Sequence, residues 1–127
     1  MMPSPARIPD ASHPIHIEPV TSRIVVSIAG QVIAATQNAL ALREAAYPVV
    51  YYIPRRDVDM AFLQRNTHTS YCPYKGDCNY YSASVAGRLT DNVGWTYETP
   101  YESVALIQNH IAFYPDRVDL VKQSSRI

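Results

Sequence analysis

From residue 15 onward the apolar residues of this chain recur with a period of two. Ile15 and Ile17 alternate with His16 and Glu18, and the β-branched run 23–29 is followed, across Gly30-Gln31, by residues 32–36. Alternation of this kind turns one face of the backbone to a core and the other to water, so it specifies strands. The stretch 23–36 is expected to form a hairpin. Residues 49–53 (Val-Val-Tyr-Tyr-Ile) make another strand, ended by Pro54, which has no N–H to give to a ladder. In 78–85, Cys78, Tyr80, Ser82 and Ser84 share one face, and Tyr81, Ala83 and Val85 the other. Short strands are also expected over 95–97, 110–114 and 117–121. Residues 39–44 (Ala-Leu-Ala-Leu-Arg-Glu) are good helix formers, but the alternation of Leu40 and Leu42 tips them towards a strand.

Between these runs, 66–77 reads as a structured loop and 87–94 as a turn region. Two short helices are expected. Asp57 can cap one that runs through Leu63, with Asp59 in its first turn. Thr99-Pro100-Tyr101-Glu102 places Thr at N-cap, Pro at the first helical position and Glu at the third, a capping box opening a helix to about Gln108. Residues 1–13, with Pro3, Pro5 and Pro9, are expected to be a flexible arm, 14–122 a single domain, and 123–127 a tail. The fold class is mainly β: seven to nine short strands in a strongly bent sheet or small open barrel, with two short helices.

Composition narrows the function classes. The 127 residues carry 11 basic and 11 acidic side chains, so no excess of positive charge supports general binding to nucleic acid or anionic membrane. At 47% hydrophobic and 17% charged the chain is globular. No run approaches the about 18 apolar residues of a membrane helix. Two cysteines are too few for a stapled secreted scaffold, and the first residues lack the basic and apolar regions of a signal peptide. The cytoplasm is the expected location. Ten tyrosines is a high count for this length.

Candidate chemistry gathers around Cys72-Pro73-Tyr74-Lys75-Gly76. Pro73 fixes one backbone angle and Gly76 permits a left-handed one, so the loop is rigidly shaped, as binding loops on β scaffolds are. A lysine beside Tyr74 and Cys72 favours phenolate or thiolate; the alternative is a packed Cys72 and Tyr74 with a solvated Lys75. His68, Cys72, Cys78 and His110 supply two imidazoles and two thiols, enough for tetrahedral zinc if they converge, although the spacing is not that of a zinc ribbon or finger. No cofactor is otherwise expected. Cys72 and Cys78 could instead form a reversible redox pair. Tyr51, Tyr52, Tyr74, Tyr80, Trp95, Tyr97 and Tyr114 either line a pocket for a small planar or hydroxylated ligand or pack as an aromatic core. Asp57 is either the helix cap or the carboxylate that orients Lys75 or a histidine. Arg55-Arg56 reads as a solvated edge, and neither Ser82 nor Ser84 sits in a nucleophile elbow.

Tyr51-Tyr52-Ile53-Pro54-x-x-Asp57-Val58, Ser70-x-Cys72-Pro73-Tyr74-Lys75-Gly76-Asp77, Trp95-x-Tyr97-x-x-Pro100 and Ile111-Ala112-Phe113-Tyr114 together resemble the bacterial and fungal family known as domain of unknown function 427, over roughly residues 15–121. The resemblance implies a β-tent or barrel similar to the Mss4-like folds, whose members include zinc-bearing and methionine-sulfoxide-reductase domains. The nucleotidyltransferase-like label sometimes given to the family finds no matching residues: the chain has neither a Gly-rich phosphate loop nor a paired acidic motif for Mg²⁺.

Two functional classes follow. The first is a binding or regulatory module, monomeric or homodimeric. It would present the loop and aromatic surface to a protein partner, such as a transcriptional regulator, or to a small ligand. The second is an enzyme using Tyr, Lys or Cys of the same loop, assisted by His68 or His110 and Asp57. The absence of a complete nucleophile–base–orienter set at a known spacing favours the first.

Overall fold

A computed structural model describes residues 5–123 of the chain. Its strands are β1 (Ile15–Pro19), β2 (Arg23–Ile28), β3 (Gln31–Thr36), β4 (Leu40–Glu44), β5 (Val50–Pro54), β6 (Leu63–Cys72), β7 (Gly76–Val85), β8 (Arg88–Thr96), β9 (His110–Phe113) and β10 (Asp119–Gln123). Seven of them form one sheet in the order β1-β4-β5-β9-β8-β7-β6, and three form a second, β10-β2-β3. Every described pairing of strands is antiparallel. The large sheet does not close into a barrel, so the open, bent form of the expected β architecture is the one adopted.

Alternation along the strands divides the large sheet between two cores. On one face Ile53 (β5), Tyr81, Ala83 and Val85 (β7), and Ile111 and Phe113 (β9) pack against Ile24, Val26 and Ile33 of the small sheet. On the other, Leu42, Tyr52, Cys78, Tyr80, Tyr97 and Ala112 pack with Val104 and Ile107. The parity expected for 78–85 is therefore the parity observed. At the β8–β9 crossing the backbones come close: a Cβ on Gly94 would lie 2.7 Å from the Ala112 carbonyl oxygen, so only glycine fits.

Local expectations fail where long-range pairing decides. Residues 66–77, expected as a loop, are mostly β6 and the start of β7, joined by the turn at Pro73–Lys75. β6 is an edge strand with a largely exposed, polar sequence, so it has little apolar surface to alternate. β8 begins at Arg88, within the expected turn region, and Asn92 at φ +52° interrupts its period. The hairpin turns at Ala29-Gly30 (φ +50° and +81°), one residue earlier than expected. Of the residues 39–44, Leu40–Glu44 form a strand, as the leucine alternation indicates.

Among the described residues the helical segments are 3₁₀ turns. Asp57 does not cap a helix through Leu63: it ends the turn Arg55–Asp57 and accepts a 2.7 Å hydrogen bond from Thr36 Oγ1. Asp59 caps the next turn, Met60–Phe62, by accepting from the Ala61 N–H. Thr99 makes no capping bond either. The turn Glu102–Ile107 starts after Tyr101, whose N–H donates to the Lys75 carbonyl at 3.0 Å, and Val104 and Ile107 are buried beneath it. Tertiary docking sets this segment's geometry in place of the capping box. The expected arm is packed in its described part: the Arg7 N–H donates to the Pro73 carbonyl at 2.8 Å, and Asp10 bridges to His13. Residues 1–4 and 124–127 lie outside the described residues. No described helix is long and apolar enough to cross a membrane.

Candidate functional site: an aromatic cleft

The face of the large sheet opposite the three-stranded sheet carries an open cleft of about 680 Å³. Its floor and walls come from seven places in the chain. β4 contributes Leu42 and Glu44, and the segment 47–50 supplies Tyr47, Pro48, Val49 and Val50. Tyr52 comes from β5, Cys72 and Lys75 from the two ends of the β6–β7 turn, and Tyr80 from β7. Trp95 comes from the end of β8 and Tyr97 just follows it, and Tyr114 and Pro115 follow β9. Register explains the convergence. Tyr52 pairs with Ala112 and Ala112 with Trp95, so the small alanine between two aromatic strands leaves room above the sheet.

The rings hold one another. Trp95 stands edge-on to Tyr52 (centroids 6.4 Å apart, planes at 86°), and its Nε1–H donates to the Tyr52 hydroxyl at 3.3 Å. Tyr114 lies 4.4 Å from Trp95. Tyr80 Oη is hydrogen-bonded to Ser70 Oγ at 2.8 Å, and the His68 ring rests 4.4 Å from the Tyr80 ring. Burial raises the phenols of Tyr52 and Tyr97 above their ordinary value, and pushes that of Tyr80 up to about 12. These rings are neutral hydrogen-bonding groups at physiological pH, and none is an activated phenolate.

At one end of the cleft lies a chain of charges. Lys75 is 7% exposed, and its Nζ donates to Glu44 Oε1 at 2.5 Å. The other carboxylate oxygen, Oε2, is 2.7 Å from His13 Nε2. Burial opposes ionisation of Glu44, but the hydrogen bonds and charges of Lys75 and His13 outweigh it and hold the carboxyl below its ordinary value. His13 is stacked flat on Tyr74 (4.0 Å, 5°), and the Arg7 guanidinium lies 5.3 Å from the same ring. Lys75 Nζ also lies 6.0 Å from the centre of the Tyr97 ring. The turn that carries Lys75 is fixed at Gly76, whose φ of +109° disfavours any side chain.

Of the residues singled out in the sequence, Tyr52, Cys72, Lys75, Tyr80, Trp95, Tyr97 and Tyr114 meet in this cleft. Tyr51 is on the opposite face of β5, packed on the inter-sheet core with Lys122 5.8 Å from its ring. Tyr74 backs the cleft through His13 without lining it. Asp57 is engaged with Thr36 and orients neither Lys75 nor a histidine. His110 opens with Arg55 and Arg56 onto a separate depression, its Nδ1 2.8 Å from the Gln108 carbonyl oxygen. Among the described residues no three His, Cys, Asp or Glu side chains converge as a metal-holding group, so His68, Cys72, Cys78 and His110 do not assemble the zinc set.

Cys72 and Cys78 are free thiols on the same face of adjacent strands, in diagonal register: Cys72 pairs with Gly76, and Cys78 with Ser70. Burial pushes the Cys78 thiol up, against the hydrogen bonds of Tyr80, Ser70 and Tyr97 around it. Sequence reasoning missed Glu44, His13 and Tyr47. Glu44 carried a signal, since it continues the alternation of Leu40 and Leu42 and so points a carboxylate inward. His13 carried none, because its contact spans 31 residues.

No curated protein matches the chain. The family model described as a domain of unknown function (DUF427) matches residues 16–124, and the chain belongs to that family.

Proposed function

We propose that this domain is a binding module whose cleft takes a small planar ligand. The observation that carries the reading is the convergence of the rings. Tyr52, Tyr80, Trp95, Tyr97 and Tyr114 converge on one space of about 680 Å³, with a single buried ammonium at its end. Apolar walls with a few fixed polar groups are the usual make-up of small-molecule sites, and aromatic rings give stacking area at low entropic cost. Another depression of similar size, lined by Arg65, Thr69, Ser70, Tyr71 and Asp77 among others, is polar, and its Arg65 is already paired with Glu98.

A catalytic reading has one observation in its favour: Lys75, Glu44 and His13 form a hydrogen-bonded chain of the nucleophile–base–orienter kind. The depressed carboxyl of Glu44 argues against it, because a carboxylate stabilised in its charged form is a weak base. The same chain suits a binding site, where it holds the ammonium in a fixed position.

A thermal-shift panel of planar aromatic and hydroxyaromatic compounds tests the proposal. At least one class should raise the Tm of the wild-type protein by mass action and leave that of Trp95→Ala unmoved. A panel that shifts neither protein, or both equally, contradicts it.

A further inference from the structure

Of the two charged groups on the cleft wall, Lys75 and Glu44, the one with hydrogen-bonding capacity left unspent is the donor. Lys75 carries three N–H donors and commits one to a described partner, Glu44 Oε1. The Tyr52 oxygen accepts from Trp95, which leaves the Tyr52 O–H free to donate. Both oxygens of Glu44, the one carboxylate on the cleft wall, are already engaged, one by Lys75 and one by His13. The Trp95 N–H is likewise consumed. A guest in this space therefore meets rings and donors, and it gains most by presenting acceptors.

The donor at the end of the cleft is an ammonium shielded from water, with a side chain only 9% exposed. A hydrogen bond from a charged donor to a charged acceptor is about twice as strong as a neutral one, and screening by solvent is weak at such a site. Resting on the proposal that the cleft binds a planar ligand, we propose that this ligand is an aromatic carboxylate. Its ring system stacks against Trp95 and Tyr97, and its carboxylate receives the two uncommitted N–H groups of Lys75. Glu44 then acts as a positioning residue. Its Oε1 accepts from the Lys75 ammonium and so holds it at the cleft end, a role the amide oxygen of a glutamine would keep, while its negative charge competes with an anionic guest and His13 fixes the far side of the carboxylate.

Isothermal titration of the full chain with 2-naphthoate and with its uncharged counterpart 2-naphthamide tests this. The wild-type protein should bind the carboxylate about tenfold or more tighter than the amide. Lys75→Met should bring the two affinities together by weakening the carboxylate alone. Glu44→Gln, which removes the competing anion, should widen the gap in favour of the carboxylate, and it gives an independent readout if Lys75→Met does not fold. Equal affinities in the wild-type protein, or a gap that narrows in Glu44→Gln, overturn the assignment of an anionic ligand while leaving the aromatic cleft as a binding site. Failure of both compounds to bind overturns the cleft reading itself.

Discussion

Burying Lys75 without a counter-charge would cost several kcal/mol, and Glu44 removes that cost by standing 2.5 Å away with its second oxygen anchored to His13. The arrangement has a pH signature. The folded protein holds the Glu44 carboxyl below its ordinary 4.5, so its contribution to stability is fully present above that value and is lost as pH falls through the folded value. Urea unfolding between pH 3 and 6 should show stability dropping at the acid end, with a shallower drop in Glu44→Gln. At the alkaline end the sign reverses. Tyr52, Tyr80 and Tyr97 have raised phenols because of burial, and Tyr71 because of its hydrogen bond to Tyr101. They stabilise the fold fully below the ordinary 10 and progressively less above it. Spectrophotometric titration of the ten tyrosines should leave Tyr52, Tyr80 and Tyr97 protonated at pH 11 and release them on unfolding. Gly94→Ala should destabilise by about 1–3 kcal/mol in urea, because its Cβ meets the fixed Ala112 carbonyl oxygen at 2.7 Å.

At the scale of elements, the strands whose two faces meet different environments are the ones the sequence spells out. β7 alternates because Cys78 and Tyr80 face the cleft core while Tyr81 and Ala83 face the small sheet. β6 is silent because an edge strand of Gln, Arg, Asn, Thr, His, Thr and Ser buries almost nothing, and the Asn92 bulge hides the period of β8. The capping box at Thr99 misleads for a related reason: Tyr101 is pinned to Lys75 by a backbone bond, and tertiary contact overrides local preference. The cleft was half legible. Strand parity puts Cys78 with Tyr80 on one face and Trp95 with Tyr97 on another, but the pairing that brings Tyr52, Tyr80 and Trp95 together is long-range, and the contacts of Glu44 with Lys75 and His13 each span 31 residues and leave no local trace. The N-terminal segment is where this matters most, since His13 joins it to both Glu44 and Tyr74. His13→Ala removes a charge-assisted hydrogen bond and a ring stack, and should lower stability by about 1–2 kcal/mol in denaturant titration. A change within a few tenths would mean that the segment is not held through this residue.

For the whole molecule, the two sheets divide the labour. The three-stranded sheet closes one face of the seven-stranded sheet into a dry core of Ile, Val, Ala, Phe and Tyr81, which gives the other face a rigid base. On that other face the turn Glu102–Ile107 covers only part of the surface, and the remainder is the aromatic cleft. A sheet buried on one side and partly open on the other supports a site without needing a moving lid. The most direct test of this account uses the position of the chain's single tryptophan. The ¹⁵N–¹H spectrum contains one indole resonance, that of Trp95, whose N–H bonds Tyr52 inside the cleft. Titration with 2-naphthoate should shift that resonance saturably, together with the amides of Tyr52, Lys75 and Tyr97, while those of the small sheet stay in place. An indole resonance that does not move at millimolar ligand, or shifts spread evenly over both sheets, would contradict the cleft as the binding site.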